Sequence, residues 1–143
     1  MKVENDFGKQ FLRMLDQKAG LSRERIEHLT NRQEFHEVVL ERIRLNMYTL
    51  FRTMFLNSLN PNPRIRIGSA REIMQQYPES PERCYYLFLN ALEFIPASWK
   101  QSLAQAREHD DAETIVKEET KLAVVDEIRR VFQNMFSVSG GAS

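Results

Sequence analysis

Few side chains in this sequence have the chemistry of ligands or nucleophiles: one cysteine, Cys84, and three histidines, His28, His36 and His109. A thiolate nucleophile needs a basic neighbour and access to solvent. Arg83 precedes Cys84, but Tyr85, Tyr86, Leu87 and Leu89 surround it in sequence. The thiol is therefore expected to pack as a small apolar group. Metal sites need clustered donors at defined spacing. His109-Asp110-Asp111 is the densest such run. It reads more simply as a helix end followed by the N-cap of the next helix, with a histidine where a helix C-terminus favours positive charge. No Glu-x-x-His pair occurs, so the ligand pattern of a di-iron bundle is missing. The glycines, at 8, 20, 68, 140 and 141, are too scattered to cradle a phosphate. These positions predict no catalytic residue, no metal and no cofactor.

Charge is segregated along the chain. Lys plus Arg and Asp plus Glu each number 20, for a net charge of zero. Between residues 42 and 71, however, Arg42, Arg44, Arg52, Arg64, Arg66 and Arg71 stand with no lysine and no acid. Between 108 and 127 the acids Glu108, Asp110, Asp111, Glu113, Glu118, Glu119, Asp126 and Glu127 face only Lys117 and Lys121. Such a split either holds two elements together or marks two interaction faces; its bland alternative is two solvated faces. A dedicated nucleic-acid binder carries a basic balance, which this chain lacks. The segments 70–77 and 81–94 have helix-turn-helix spacing, but the second offers Tyr, Leu, Phe and Cys where base edges need Arg, Asn or Gln.

Arg23 and His28 are separated by four residues. That spacing resembles the Arg-x4-His motif of HEPN-type ribonucleases, which are small helical bundles working as dimers. The resemblance covers six residues. It implies an arginine and a histidine acting on an RNA phosphate and its 2′-hydroxyl. After the arginine, where the motif has a polar residue, this chain has Glu24, whose charge opposes a phosphate.

The elements that must position these groups are helical. Phe7, Phe11, Met14 and Leu15 form one stripe of a helix from Asp6, closed by Gly20. A short helix follows from Ser22 to Leu29. Asn31 with Glu34 forms a capping-box variant opening a long helix over 32–58. Its first half carries the stripe Phe35, Val38, Val39 and Ile43; its second half is apolar all round. Asn60-Pro61-Asn62-Pro63 ends it. Arg64-Ile65-Arg66-Ile67-Gly68 alternates, but one short strand has no sheet to join, so it is expected as an extended link. Ser69-x-x-Glu72 opens a short helix, and Ser80-Pro81 opens a buried helix over 81–94. Ser98-x-x-Gln101 and Asp110-x-x-Glu113 cap the last two, and residues 137–143 read as a flexible tail.

The expected fold is all-α: one domain over 1–136, a bundle of five to seven helices with the helices 32–58 and 81–94 central. A chain of 143 residues, 42% apolar and 28% charged, can hold such a core without staples. No run approaches the ~18 apolar residues of a membrane span, and no apolar stretch follows Lys2, so the cytoplasm is the expected compartment. The leading functional expectation is a non-enzymatic protein-interaction or regulatory protein: an adaptor, assembly factor or chaperone-like subunit. Its interface would use Met47, Phe51, Met54 and Phe55, on a projecting half of the long helix, toward a homodimer or a protein partner. The alternative is an RNA-directed helical nuclease or nucleic-acid binder using Arg23, His28 and the arginine-rich middle.

Overall fold

In the computed structural model, which describes residues 2–79 and 81–138, the 3.6-residue apolar periods become six helices. These are α1 (Lys2–Asn31), α2 (Phe35–Leu59), α3 (Ala70–Gln76), α4 (Glu82–Phe94), α5 (Ala97–Glu108) and α6 (Ala112–Val138). The described residues contain no strand.

Side-chain pairs fix the directions. Asp16 meets Arg52 and Ser22 meets Glu41, so α1 and α2 are antiparallel. Phe7 meets Phe136 and Lys18 meets Glu127, so α6 also runs against α1. Tyr85 meets Phe136 and Phe88 meets Phe132, so α4 runs against α6. After Pro96 interrupts the ladder, α5 continues the same course, with Lys121 over Trp99 and Arg107 beside Glu119. The result is an up-down-up-down bundle whose third member is broken into α4 and α5. Helix α2 is central and packs on α1, α4 and α6.

One end of the bundle is filled by rings. Phe11 lies 4.7 Å from Phe55, Phe88 lies 4.6 Å from Phe132, and Tyr85 stacks on Phe136 at 4.1 Å between centroids. Such edge and offset contacts are the preferred aromatic geometry. The other end carries the α1–α2 turn at residues 32–34 and is called the hairpin end below.

The expected central helices are present within a few residues of 32–58 and 81–94. Several local expectations are corrected. Gly20 does not end a helix: α1 runs through it, and nothing stands within 4 Å of where its Cβ would be. Buried Ala19 and Ser22 on either side keep both halves on the same partner. Asn31 is the last residue of α1, not a cap of α2, and Gln33 takes the left-handed turn at φ 59°. Ser98 lies inside α5, whose N-cap position is Pro96. The cap of α6 is Asp111, one residue after the expected Asp110: it accepts from Thr114 N–H at 3.2 Å and from the Thr114 hydroxyl at 2.7 Å. Those two bonds hold the Asp111 carboxyl below its ordinary pKa. Ser69 precedes α3 without a side-chain cap bond. Ser80 and residues 139–143 lie outside the described residues, and Ser137 and Val138 continue α6.

Candidate interaction surface

Where the aromatic core ends, a polar seam joins α1, α2 and α6. Glu41, only 4% exposed, accepts from Ser22 Oγ at 2.8 Å and from Arg44 Nη1 at 2.9 Å. Glu127 accepts from the Tyr48 hydroxyl at 2.7 Å and from Lys18 Nζ at 3.2 Å. A buried carboxylate without such donors would cost several kcal/mol. Burial first, then the hydrogen bond to Glu127 and the charges of Glu127 and Glu41, pushes the Tyr48 hydroxyl well above its ordinary pKa, so it stays a neutral donor. A third partnered carboxylate, Glu118, takes Lys121 at 2.8 Å. Each of these acids is engaged by a partner within the chain.

Above the seam the hairpin end leaves apolar surface open. On α2, Phe35 is 60% exposed and Val39 41%, at i and i+4, with half-buried Ile43 next on the same stripe. Helix α5 packs against α6, and the Phe35 stripe keeps its exposure. On α1, Leu21 is 48% exposed. With Glu24, Arg25, His28 and Leu29 it lines an open cleft of ≈ 390 Å³. These residues continue the stripe that starts at Lys18, spaced three and four apart.

The residues singled out from sequence fall elsewhere. Phe51 and Phe55 are completely buried, Met47 nearly so, and Met54 packs against both apolar clusters. The projecting half-helix expected to display them does not exist, because α1, α4 and α6 cover α2 on its three inner sides at that level. The arginines do not form one patch. Arg44 pairs with Glu41 and Arg52 with Asp16, whereas Arg64 and Arg66 lie on the 60–69 link and Arg71 on α3. Arg23 and His28 are both exposed on one continuous helix, where five residues correspond to about 140° of rotation, so they do not share a face. His28 lines the α1 cleft and contacts Arg32 at 3.4 Å; Arg23 does not line that cleft. The geometry required by the Arg-x4-His reading is therefore missing within the chain. Cys84 is buried in the main core, as a small apolar group would be. The described residues contain no group of three or more His, Cys, Asp and Glu side chains able to hold a metal ion.

Sequence reasoning passed over Phe35 because it sits in an apparently ordinary stripe with Val38, Val39 and Ile43. At 100° per residue those four positions spread over about 140° of α2. One neighbouring helix covers less than that. Val38 is buried, and the Phe35–Val39 edge remains exposed. No family model, curated protein or solved structure matches this chain, so the surface has to be read from its own chemistry.

Proposed function

We propose that this chain is a non-enzymatic interaction protein of the cytoplasm that docks another protein on the apolar surface of its hairpin end. The carrying observation is Phe35, the most exposed large apolar side chain among the described residues, beside exposed Val39. An aromatic ring held on a helix face at low entropy cost is the kind of anchor that dominates protein interfaces. The partnered state of the buried carboxylates supports binding over catalysis as the role. The occupant is a protein chain, a second copy included, and adaptor or assembly-factor behaviour follows from such docking.

The test compares the wild-type chain with the double variant Phe35→Asp, Val39→Asp. Sedimentation up to ~100 μM reads self-association, and affinity isolation from the native host reads other partners. Support requires a complex present in the wild type and lost in the variant, with thermal unfolding unchanged. A complex that survives the double substitution, or a wild-type chain that stays alone in both measurements, overturns the reading.

A further inference from the structure

Arg64, Arg66 and Arg71 lie on the link after α2 and the start of α3, near the opposite end of the bundle from Phe35. Along the link after α2, Arg64 is exposed, Ile65 buried, Arg66 exposed and Ile67 half-buried. A period of two is that of extended chain. The segment is firmly held. Ile65 packs in a small apolar cluster with Ala70 and Leu87. Buried Asn90 of α4 clamps its end: Nδ2 donates to the Ile67 carbonyl at 3.0 Å, and Oδ1 accepts from Ser69 N–H at 2.9 Å. Gly68 between them has φ 52°, and a Cβ there would stand 2.3 Å from a Phe94 ring carbon, so the turn closes onto α4 only with glycine.

Two properties follow. First, Arg64 and Arg66 are presented on one side, about 7 Å apart at ~3.3 Å per extended residue. Arg71, in the first turn of α3, joins Arg66 around a cleft of ≈ 270 Å³ that Ile65, Gly68, Glu72 and Met74 complete. None of the three arginines is in an ion pair with a described residue. Second, the backbone N–H and C=O groups of Arg64 and Arg66 make no hydrogen bond to any described residue. The Ile65 backbone makes none either, so the run 64–66 is open to another backbone.

We infer that residues 64–67 are an open strand edge that takes an extended acidic peptide segment of a partner protein. The peptide backbone pairs with Arg64 and Arg66, and carboxylates at every second position, on the same ~7 Å repeat, meet the arginine side chains. A peptide fits better than a nucleic acid on two counts. Unpaired backbone donors and acceptors side by side match another backbone. No aromatic side chain lines the cleft to stack on a base. None of these observations involves Phe35, so this site stands or falls independently of the hairpin end.

The test is fluorescence anisotropy of the full chain with a short labelled peptide of alternating glutamate and valine. Three comparison probes are used: the same composition with its acids grouped at one end, the alternating peptide N-methylated on alternate amides, and oligouridine. Binding near ~10⁻⁵ M is expected for the alternating peptide. It should weaken by about tenfold or more with Arg64→Glu plus Arg66→Glu, and similarly on N-methylation, but not with Arg42→Glu on α2. The variants should melt like the wild type, since both positions are exposed. The inference fails if the alternating peptide shows no binding at ~1 mM. It also fails if the grouped or N-methylated peptide binds equally well, if the charge reversal has no effect, or if oligouridine binds more tightly.

Discussion

The two ends of this bundle are built from different materials. At one end Phe7, Phe11, Phe55, Phe88, Phe132 and Phe136 close on one another, with Tyr85 stacked on Phe132 and Phe136. At the hairpin end the helices meet through Ser22, Glu41, Arg44, Tyr48, Glu127 and Lys18, and beyond that seam Leu21, Phe35 and Val39 stay in solvent. Both regions contain aromatic and aliphatic side chains on the same two helices. What separates them is how many helices surround each level of the bundle. A residue type therefore says little about whether a position serves stability or recognition until the neighbours are known. The same substitution at the two ends should have opposite consequences.

The largest effect is expected from Phe55→Asp. The ring is fully buried and touches Phe7, Phe11, Phe88 and Phe132. A carboxylate there would be buried with no partner, and the missing packing alone costs about 3–5 kcal/mol. Against a total stability of about 5–15 kcal/mol, the variant should be largely unfolded by circular dichroism. A folded Phe55→Asp chain of altered assembly state would return this residue to an interface and dissolve the contrast.

Next comes the seam. Glu41→Ala leaves Ser22 and Arg44 without their acceptor and should cost about 1–3 kcal/mol, read as a lowered denaturation midpoint with an unchanged slope. Tyr48→Phe removes the donor to Glu127 at 2.7 Å and should cost about 1 kcal/mol. Tyr48 also gives the seam a pH signature. Burial and Glu127 raise its pKa in the fold above the ordinary value near 10. Above that value the unfolded chain has released a proton that the folded chain still holds, so stability present below pH ~10 declines as pH rises further. Part of that decline should vanish in Tyr48→Phe. An identical alkaline slope in both proteins would mean that other groups cause it.

Much of this arrangement is legible in the sequence, and the failures share a physical cause. The 3.6-residue periods and the Pro-rich break at 60–63 predict the helices and the extended link. The local signal at Gly20 marks a helix end that tertiary packing overrides, because each half of α1 finds its own partners on α2 and α6; near Asn31 and Ser98 the boundaries exist, but the N-caps fall on Glu34 and Pro96. The apolar-rich second half of α2 is compatible with either an interface or a core. Only the presence of α4 and α6 beside it decides, and no local pattern encodes that. The Arg23–His28 spacing fails for the same reason in reverse, since it needs a helix break that the chain does not make. Gly20 tests this account directly. If α1 is continuous, Gly20→Ala fills open space on a helix and should stabilise the chain by roughly 0.5–1 kcal/mol. A loss of stability would show that the glycine is needed for a bend or a break.

The smallest effect on folding, and the one that sharpens the comparison most, belongs to Phe35→Asp. The side chain is 60% exposed in the first turn of α2. Its substitution removes little packing and places an acid near a helix N-terminus, where negative charge is favourable by about 0.3–1 kcal/mol. The apolar burial that the ring supplies there is worth a fraction of the roughly 1.5–3 kcal/mol of a fully buried ring. These terms oppose each other, so the net change should stay within about 0.5 kcal/mol. Thermal unfolding of Phe35→Asp should thus superpose on the wild type while Phe55→Asp does not fold. A loss of more than ~2 kcal/mol at Phe35 would mean that the ring is covered by its own chain in solution. The apolar surface at the hairpin end would then belong to the core, and recognition would have to be sought elsewhere on the molecule.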